Sequence, residues 1–115
     1  MYNHKMKLQP KPFEKMVSGL KTIELRLWDE KRQKVSIGDT IEFTNPENDC
    51  KMSVRVIDLH RFDSFKELYS VLPLEKCGYT SEEAKTASYR DMETYYSPEE
   101  QTKYGVVGIE IELIK

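Results

Sequence analysis

Two hydrophobic periods divide this chain. Residues 4–9 alternate, with Met6 and Leu8 against Lys5, Lys7 and Gln9, which predicts a short strand with one buried face. Pro10 and Pro12 end it, and Pro12 suits the first turn of a helix, where a missing N–H costs nothing. Phe13, Met16, Val17 and Leu20 then recur at helical spacing, and Gly19 is placed to terminate that helix. Alternation returns over residues 22–28: Ile23, Leu25 and Leu27 share one face, and Thr22, Glu24, Arg26 and Trp28 the other. The aliphatic set is the expected core face. Residues 29–34 read as an exposed, charged connection. Ile37, Gly38, Asp39 and Thr40 make a tight turn into a strand that points Ile41 and Phe43 the same way. Residues 45–49 carry the strongest turn signal in the chain. A long strand follows over residues 51–62, where Met52, Val54 and Val56 alternate but Ile57 and Leu59 break parity. Either a bulge or burial of both faces accounts for that break.

After Asp63 the period becomes helical. Ser64 with Glu67 fits a capping box ahead of a stripe of Phe65, Leu68, Tyr69 and Leu72, which Pro73 stops. Residues 74–79 form a turn containing Gly78. Thr80 with Glu83 opens a second helix, expected to reach about residue 95 on the surface, because its apolar side (Ala84, Ala87, Met92) is thin. Ser97, Pro98 and Glu100 start a short third helix, and this capping role accounts for Ser97 without any nucleophilic one. Val107, Ile109, Ile111 and Leu113 alternate through a closing strand over residues 106–114. The order β-α-β-β-β, helices, β predicts an α+β fold. It is a small mixed, mostly antiparallel β-barrel of five to six strands, with helices inserted after the first strand and before the last. The connections between the central strands are too short for crossover helices. With no repeat, low-complexity tract or linker, residues 1–115 read as one domain.

Composition narrows the function. A net charge of −2 removes the global electrostatic footprint of a sequence-blind nucleic-acid binder, so any RNA contact must be local. Cys50 and Cys77 have no metal-like spacing and read as free thiols, with a disulfide as the alternative. The start carries no apolar leader segment, and no run approaches the ~18 apolar residues of a membrane span. A cytoplasmic protein is expected. Neither His4 nor His60 has a cysteine or carboxylate at ligand spacing, so no metal and no cofactor are expected. Gly-rich phosphate loops and nucleophile elbows are absent.

The candidate chemistry lies in Lys21, Glu24, Arg26 and Trp28. Glu24 and Arg26 share a strand face about 7 Å apart, and Lys21 leans in from the helix–strand junction. A carboxylate that accepts from a base amino group, flanked by cations for phosphate, makes a nucleotide site. A surface ion pair is the plain alternative. Lys21 and Glu24 are also the candidates for catalysis, which would need a pKa shifted toward neutrality. Trp28 offers either a stacking platform for a base or a lid on the barrel end. Tyr89, Tyr95, Tyr96 and Tyr104 cluster late in the chain, for stacking on RNA or for packing a thin helix. Lys31, Arg32 and Lys34 form a basic patch that is either a solvated loop or a place for phosphates.

Gly19, Lys21, Glu24 and Arg26 match the G-x-K-x-x-E-x-R signature, and the chain thereby resembles ASCH domains of the PUA-like superfamily. The Gly38-Asp39 turn into Ile41 and Phe43 is similar to the family's next element. The closing blocks, Tyr95 to Glu100 and Tyr104 to Ile111, are similar to its end, so the resemblance covers essentially the whole chain. It implies a PUA-like barrel with a cleft beside the signature, and RNA or a nucleotide-like ligand as the partner. Some members are enzymes. One group of similar size removes the acetyl group of N4-acetylcytidine with a lysine, a threonine and a glutamate, and another is described as a ribonuclease. The lysine corresponds to Lys21, but Glu24 stands where that group carries its threonine, and Thr22 occupies a different place in the motif. A carboxylate does not replace a hydroxyl that must form and release an acyl ester. Glu67, Glu75 and Glu82 are the candidates for the glutamate. Three functions are consistent with these residues: an RNA- or nucleotide-binding module, a small hydrolase of a modified nucleoside or of RNA, and a peptide-binding interaction domain.

Overall fold

The computed structural model describes residues 2–114. Among these residues there are five strands: β1 (Asn3–Lys7), β2 (Ile23–Leu27), β3 (Thr40–Thr44), β4 (Lys51–Phe62) and β5 (Val106–Leu113). Four α-helices accompany them: α1 (Pro10–Val17), α2 (Phe65–Val71), α3 (Ser81–Thr86) and α4 (Pro98–Tyr104). The strands form one mixed sheet in the order β1-β3-β4-β5-β2, in which β1 and β3 are parallel and all other neighbours antiparallel. The sheet curls into a half-barrel, and β1 and β2 are its two edges.

The sheet packs a core on each face, the outer one around β2 and the start of β5. Inside the curl, Met6, Ile41, Phe43, Val54, Val56, Val107, Ile109 and Ile111 pack with Phe13 and Met16 of α1. On the outer face, Ile23, Leu25, Leu27 and Val106 pack beneath Phe65, Leu68 and Leu72. The aliphatic side of β2 therefore does face a core, but the outer one. Its register places Glu24 opposite Ile109 and Arg26 opposite Val107, so the charged residues share the inner side of the sheet. Gly108 lets α2 approach: a Cβ there would meet Leu72 Cδ1 at 2.7 Å and Ile23 Cγ2 at 3.1 Å.

The parity break in β4 is a bulge, with a register shift between Val56 and Asp58. Ile57 is the extra residue and is 40% exposed, while Leu59 returns to the inner core. Two helical expectations are corrected. Helix α1 ends at Val17, so only Phe13 and Met16 of the four-residue stripe are buried, and Leu20 is 69% exposed. The single helix expected from Thr80 to about residue 95 is two pieces, α3 and a 3-10 helix at Tyr89–Thr94. Ala87 and Ser88 between them are extended, and Ser88 makes its own capping box with Asp91. A serine hydroxyl that bonds the next turn's N–H groups competes with helix continuation. Cys50 is exposed, Cys77 buried, and both are free. Among the described residues, no helix is long and apolar enough to cross a membrane.

Candidate functional site

The seam between the edges β1 and β2 carries a buried charge cluster. Gly19, at φ 85°, turns the chain out of α1 in the left-handed region that glycine enters cheaply. Lys21 follows at the turn's exit, its backbone N–H donating to the Lys15 carbonyl at 3.1 Å. Its ammonium donates to the carbonyls of Cys77 at 2.7 Å and Ile23 at 2.9 Å, and lies 3.3 Å from Glu24 Oε1. Arg26 Nε donates to Glu24 Oε2 at 2.7 Å. Arg26 Nη2 donates to the Lys7 carbonyl at 2.6 Å, which ties the two sheet edges together. Lys21 is 5% exposed and Glu24 6%.

Burial at this depth is tolerable only because every charge is paired and hydrogen-bonded. Desolvation alone would raise the Glu24 carboxyl, but the charges and hydrogen bonds of Arg26 and Lys21 outweigh it and hold the pKa below the ordinary carboxylate value. Burial likewise opposes charge on Arg26, and Glu24 overturns that and raises its pKa. The Lys21 ammonium donates to two carbonyls and pairs with Glu24, and each Glu24 oxygen faces a cation. Arg26 differs: its Nη1 has no hydrogen-bond partner among the described residues.

A cavity of about 470 Å³ opens over this cluster. Glu24 and Arg26 line it from β2, Lys21 from the turn before it, and Lys7, Lys11 and Lys15 from β1 and α1. Tyr69, Tyr79, Tyr95 and Tyr96 line it from the helical insertion between β4 and β5, together with Glu83. The insertion is fastened across the mouth by Lys15, which donates to the Gly78 carbonyl and sits 3.7 Å from Glu83. The Tyr69 and Tyr79 hydroxyls are hydrogen-bonded at 2.7 Å, and Tyr79 donates to Asp91 at 3.0 Å. Burial pushes both phenols above their ordinary pKa, so they stay protonated. Burial also pushes the Cys77 thiol up to about 11, which makes it a poor nucleophile.

Trp28 is not part of this cavity. It lies just past β2 and lines a second hollow with Arg61, whose guanidinium sits 4.7 Å from the ring centroid. Tyr104 lines that hollow too, whereas Tyr89 packs on the outer core. Tyr96 stacks on Phe65 at 5.8 Å as well as lining the seam cavity, and Tyr95, 68% exposed, is the open aromatic at the rim. Thr22 does not line the cavity; its backbone bonds Lys76 and Ile111. Glu67, Glu75 and Glu82 all lie outside it. Glu67 Oε2 accepts from the Asp63 N–H at the start of α2, Glu75 is exposed, and Glu82 pairs with Lys85 at 3.0 Å. Glu83 is the carboxylate of that region that reaches the cavity, and its part in the Thr80 capping box masks this second role at the level of sequence pattern. Lys31, Arg32 and Lys34 stand apart from the cavity, with Arg32 held by Asp29 at 3.1 Å. Sequence spacing gave neither histidine a carboxylate, but the fold supplies one to each. His4 meets Asp39 at 2.8 Å, and His60 meets Glu110 at 2.8 Å.

The sequence model of the ASCH domain matches residues 6–115. The chain belongs to the ASCH domain family. This ASCH domain is similar to the crystal structure of hypothetical protein PH0355, with 38% identity over 99% of this chain and 100% of that one, at a TM-score of 0.78. It is similar to a solution structure of a protein from Pyrococcus furiosus, with 34% identity, 98% of each chain covered and a TM-score of 0.71. A mutant ASCH protein of Zymomonas mobilis shares the fold at a TM-score of 0.68, with 15% identity over 96% of this chain and 67% of that one. No curated protein shows significant similarity to the sequence.

Proposed function

We propose that this ASCH domain binds RNA or a nucleotide-like ligand in the seam cavity. The observation that carries the reading is the Arg26 guanidinium. It lines the cavity, is fixed in position by Glu24 and the Lys7 carbonyl, and leaves Nη1 without a hydrogen bond among the described residues. A preset fork of this kind suits a phosphate or a carbonyl edge. The lining supports an anionic ligand, because five cations face two carboxylates there in a protein whose net charge is −2. Its volume, about 470 Å³, suits one nucleotide unit. Tyr95 and Tyr96 supply faces for a base, and Tyr79 and Tyr69 supply hydroxyls for its edge. In this scheme Arg26 touches the ligand, Glu24 orients Arg26, and Lys21 orients Glu24. Trp28 is left to a second contact on a longer strand.

Binding is favoured over hydrolysis. Glu24 replaces the hydroxyl that acyl transfer would need, and the Lys21 ammonium is held by two carbonyls and the Glu24 carboxylate. We place the protein in the cytoplasm on the strength of Cys50, an exposed thiol that stays reduced there. Fluorescence polarisation with short single-stranded RNA, and calorimetry with nucleoside monophosphates, test the reading. Arg26→Ala is expected to weaken binding at least tenfold, and unchanged affinity in a folded Arg26→Ala protein overturns it.

A further inference from the structure

A second cluster of ligating side chains lies on the other face of the sheet. Asp58 and His60 stand two residues apart on β4, and Glu110 stands on β5 directly opposite Asp58. His60 Nε2 is 2.8 Å from Glu110 Oε1 and 3.8 Å from Asp58 Oδ2, and one donor atom from each residue falls within 4.8 Å of the others. It is the only such group of histidine, cysteine and carboxylate side chains among the described residues. From these distances we propose that Asp58, His60 and Glu110 form a binding site for a divalent transition-metal ion of the Zn²⁺ or Mn²⁺ type.

The bulge makes the cluster. Were Ile57 paired regularly instead of bulged, strict alternation from Val56 would give Asp58 and His60 the parity of Val56 and point them at the inner core. With the bulge, both share a side with Glu110. The strands that carry them form the central, antiparallel ladder, so the three backbones are rigidly set. Ligands at about 2.0–2.1 Å from a tetrahedral ion lie about 3.3 Å apart. The separations of 2.8 and 3.8 Å straddle that edge, so small side-chain rotations complete the triangle. Asp58 Oδ1 is occupied by the Leu59 N–H at 2.8 Å, which leaves Oδ2 as the ligating oxygen. The residues are partly exposed, so an ion has access, and water fills its remaining positions. One imidazole with two carboxylates suits Zn²⁺ or Mn²⁺ better than Mg²⁺ or Ca²⁺, which prefer all-oxygen shells.

Isothermal titration of the whole chain with MnCl₂, and of its Cys50→Ser variant with ZnCl₂, tests the site, with MgCl₂ as the hard-ion comparison. The expected result is one site per chain, with Mg²⁺ at least tenfold weaker. His60→Ala and Glu110→Gln should each weaken binding at least tenfold, and His4→Ala should leave it unchanged. Absence of binding by both Mn²⁺ and Zn²⁺ overturns the proposal, as does affinity that survives His60→Ala. If His60→Ala does not fold, Asp58→Asn at a more exposed position replaces it: a tenfold loss is expected, and unchanged affinity overturns the proposal.

Discussion

Two carboxylates are buried in this half-barrel, one on the edge strand β2 and one at the turn before β3, and they do opposite things. Asp39, 4% exposed, accepts from the Tyr2 and Ser36 N–H groups at 3.2 and 3.0 Å and bonds His4 at 2.8 Å. That network closes on itself and pins β1 to the turn before β3. Glu24, 6% exposed, holds Lys21 on one oxygen and Arg26 on the other, and Arg26 ends at a cavity with a nitrogen to spare. Burial of a charge therefore does not mark a site by itself. What separates the two is whether any donor or acceptor is left over where a ligand fits.

Deleting each carboxylate gives the largest test of that contrast. Glu24→Ala leaves Lys21 and Arg26 as adjacent buried cations without their anion, and we expect a loss of about 3–5 kcal/mol of stability. Asp39→Ala strands two N–H groups and an imidazole, at a cost of about 1.5–3 kcal/mol. Urea denaturation monitored by circular dichroism measures both. An Asp39 loss equal to or larger than that for Glu24 would mean the seam cluster is no more tightly interdependent than an ordinary turn.

Acid separates the same groups more gently. Burial raises the Glu24 carboxyl, but Arg26 and Lys21 outweigh it, so its native pKa lies below 4.5. The His4 hydrogen bond is the largest cause holding Asp39 below 3.8. A depressed native pKa means the ionised form is preferred in the fold. Its stabilising contribution is whole above the ordinary value and is lost as pH falls through the lowered one. Stability is thus expected to drop below pH 4.5 and to keep dropping past 3.8. Glu24→Gln and Asp39→Asn should each flatten that fall. Thermal melts between neutrality and acid pH read the two slopes, and parallel curves for wild type and Glu24→Gln would refute the assignment.

Most of the strand framework was legible because period-two alternation directly reports a sheet face. The β4 parity break announced its bulge, and Ile41 and Phe43 pointed inward as their spacing said. The pattern of β2 misled in one respect. Alternation says that two faces differ, not which of two cores each meets, and only the pairing of Glu24 with Ile109 shows that the charged face lies inside the curl. The break at Ala87 and Ser88 was written in the spacing of Ser88 and Asp91, but a thin apolar stripe running past it suggested continuity. Lys21, Glu24 and Arg26 stood out because opposite charges in an apolar strand need a reason. The helical insertion over the cavity did not, because Tyr69, Tyr79 and Glu83 reach the cavity only through a tertiary fold that no local pattern encodes.

Trp28 gives the finest version of the contrast. By parity it belongs with Glu24 and Arg26, yet it lies past the end of β2, where its backbone N–H donates to the Gly105 carbonyl and its ring sits under Arg61. If a leftover group beside the seam cavity is what makes the site, Trp28 should matter little to a ligand small enough to stay inside that cavity. Trp28→Phe keeps an aromatic face but weakens the attraction for the guanidinium, a change on the order of 0.5 kcal/mol. The expected outcome is a slightly lower melting temperature with nucleoside monophosphate affinity within twofold of wild type. A larger loss with single-stranded RNA than with the monophosphate would show the strand running on from the seam to the second hollow. A tenfold loss with the monophosphate itself would mean that the shared strand face, and not the uncommitted guanidinium, defines the site.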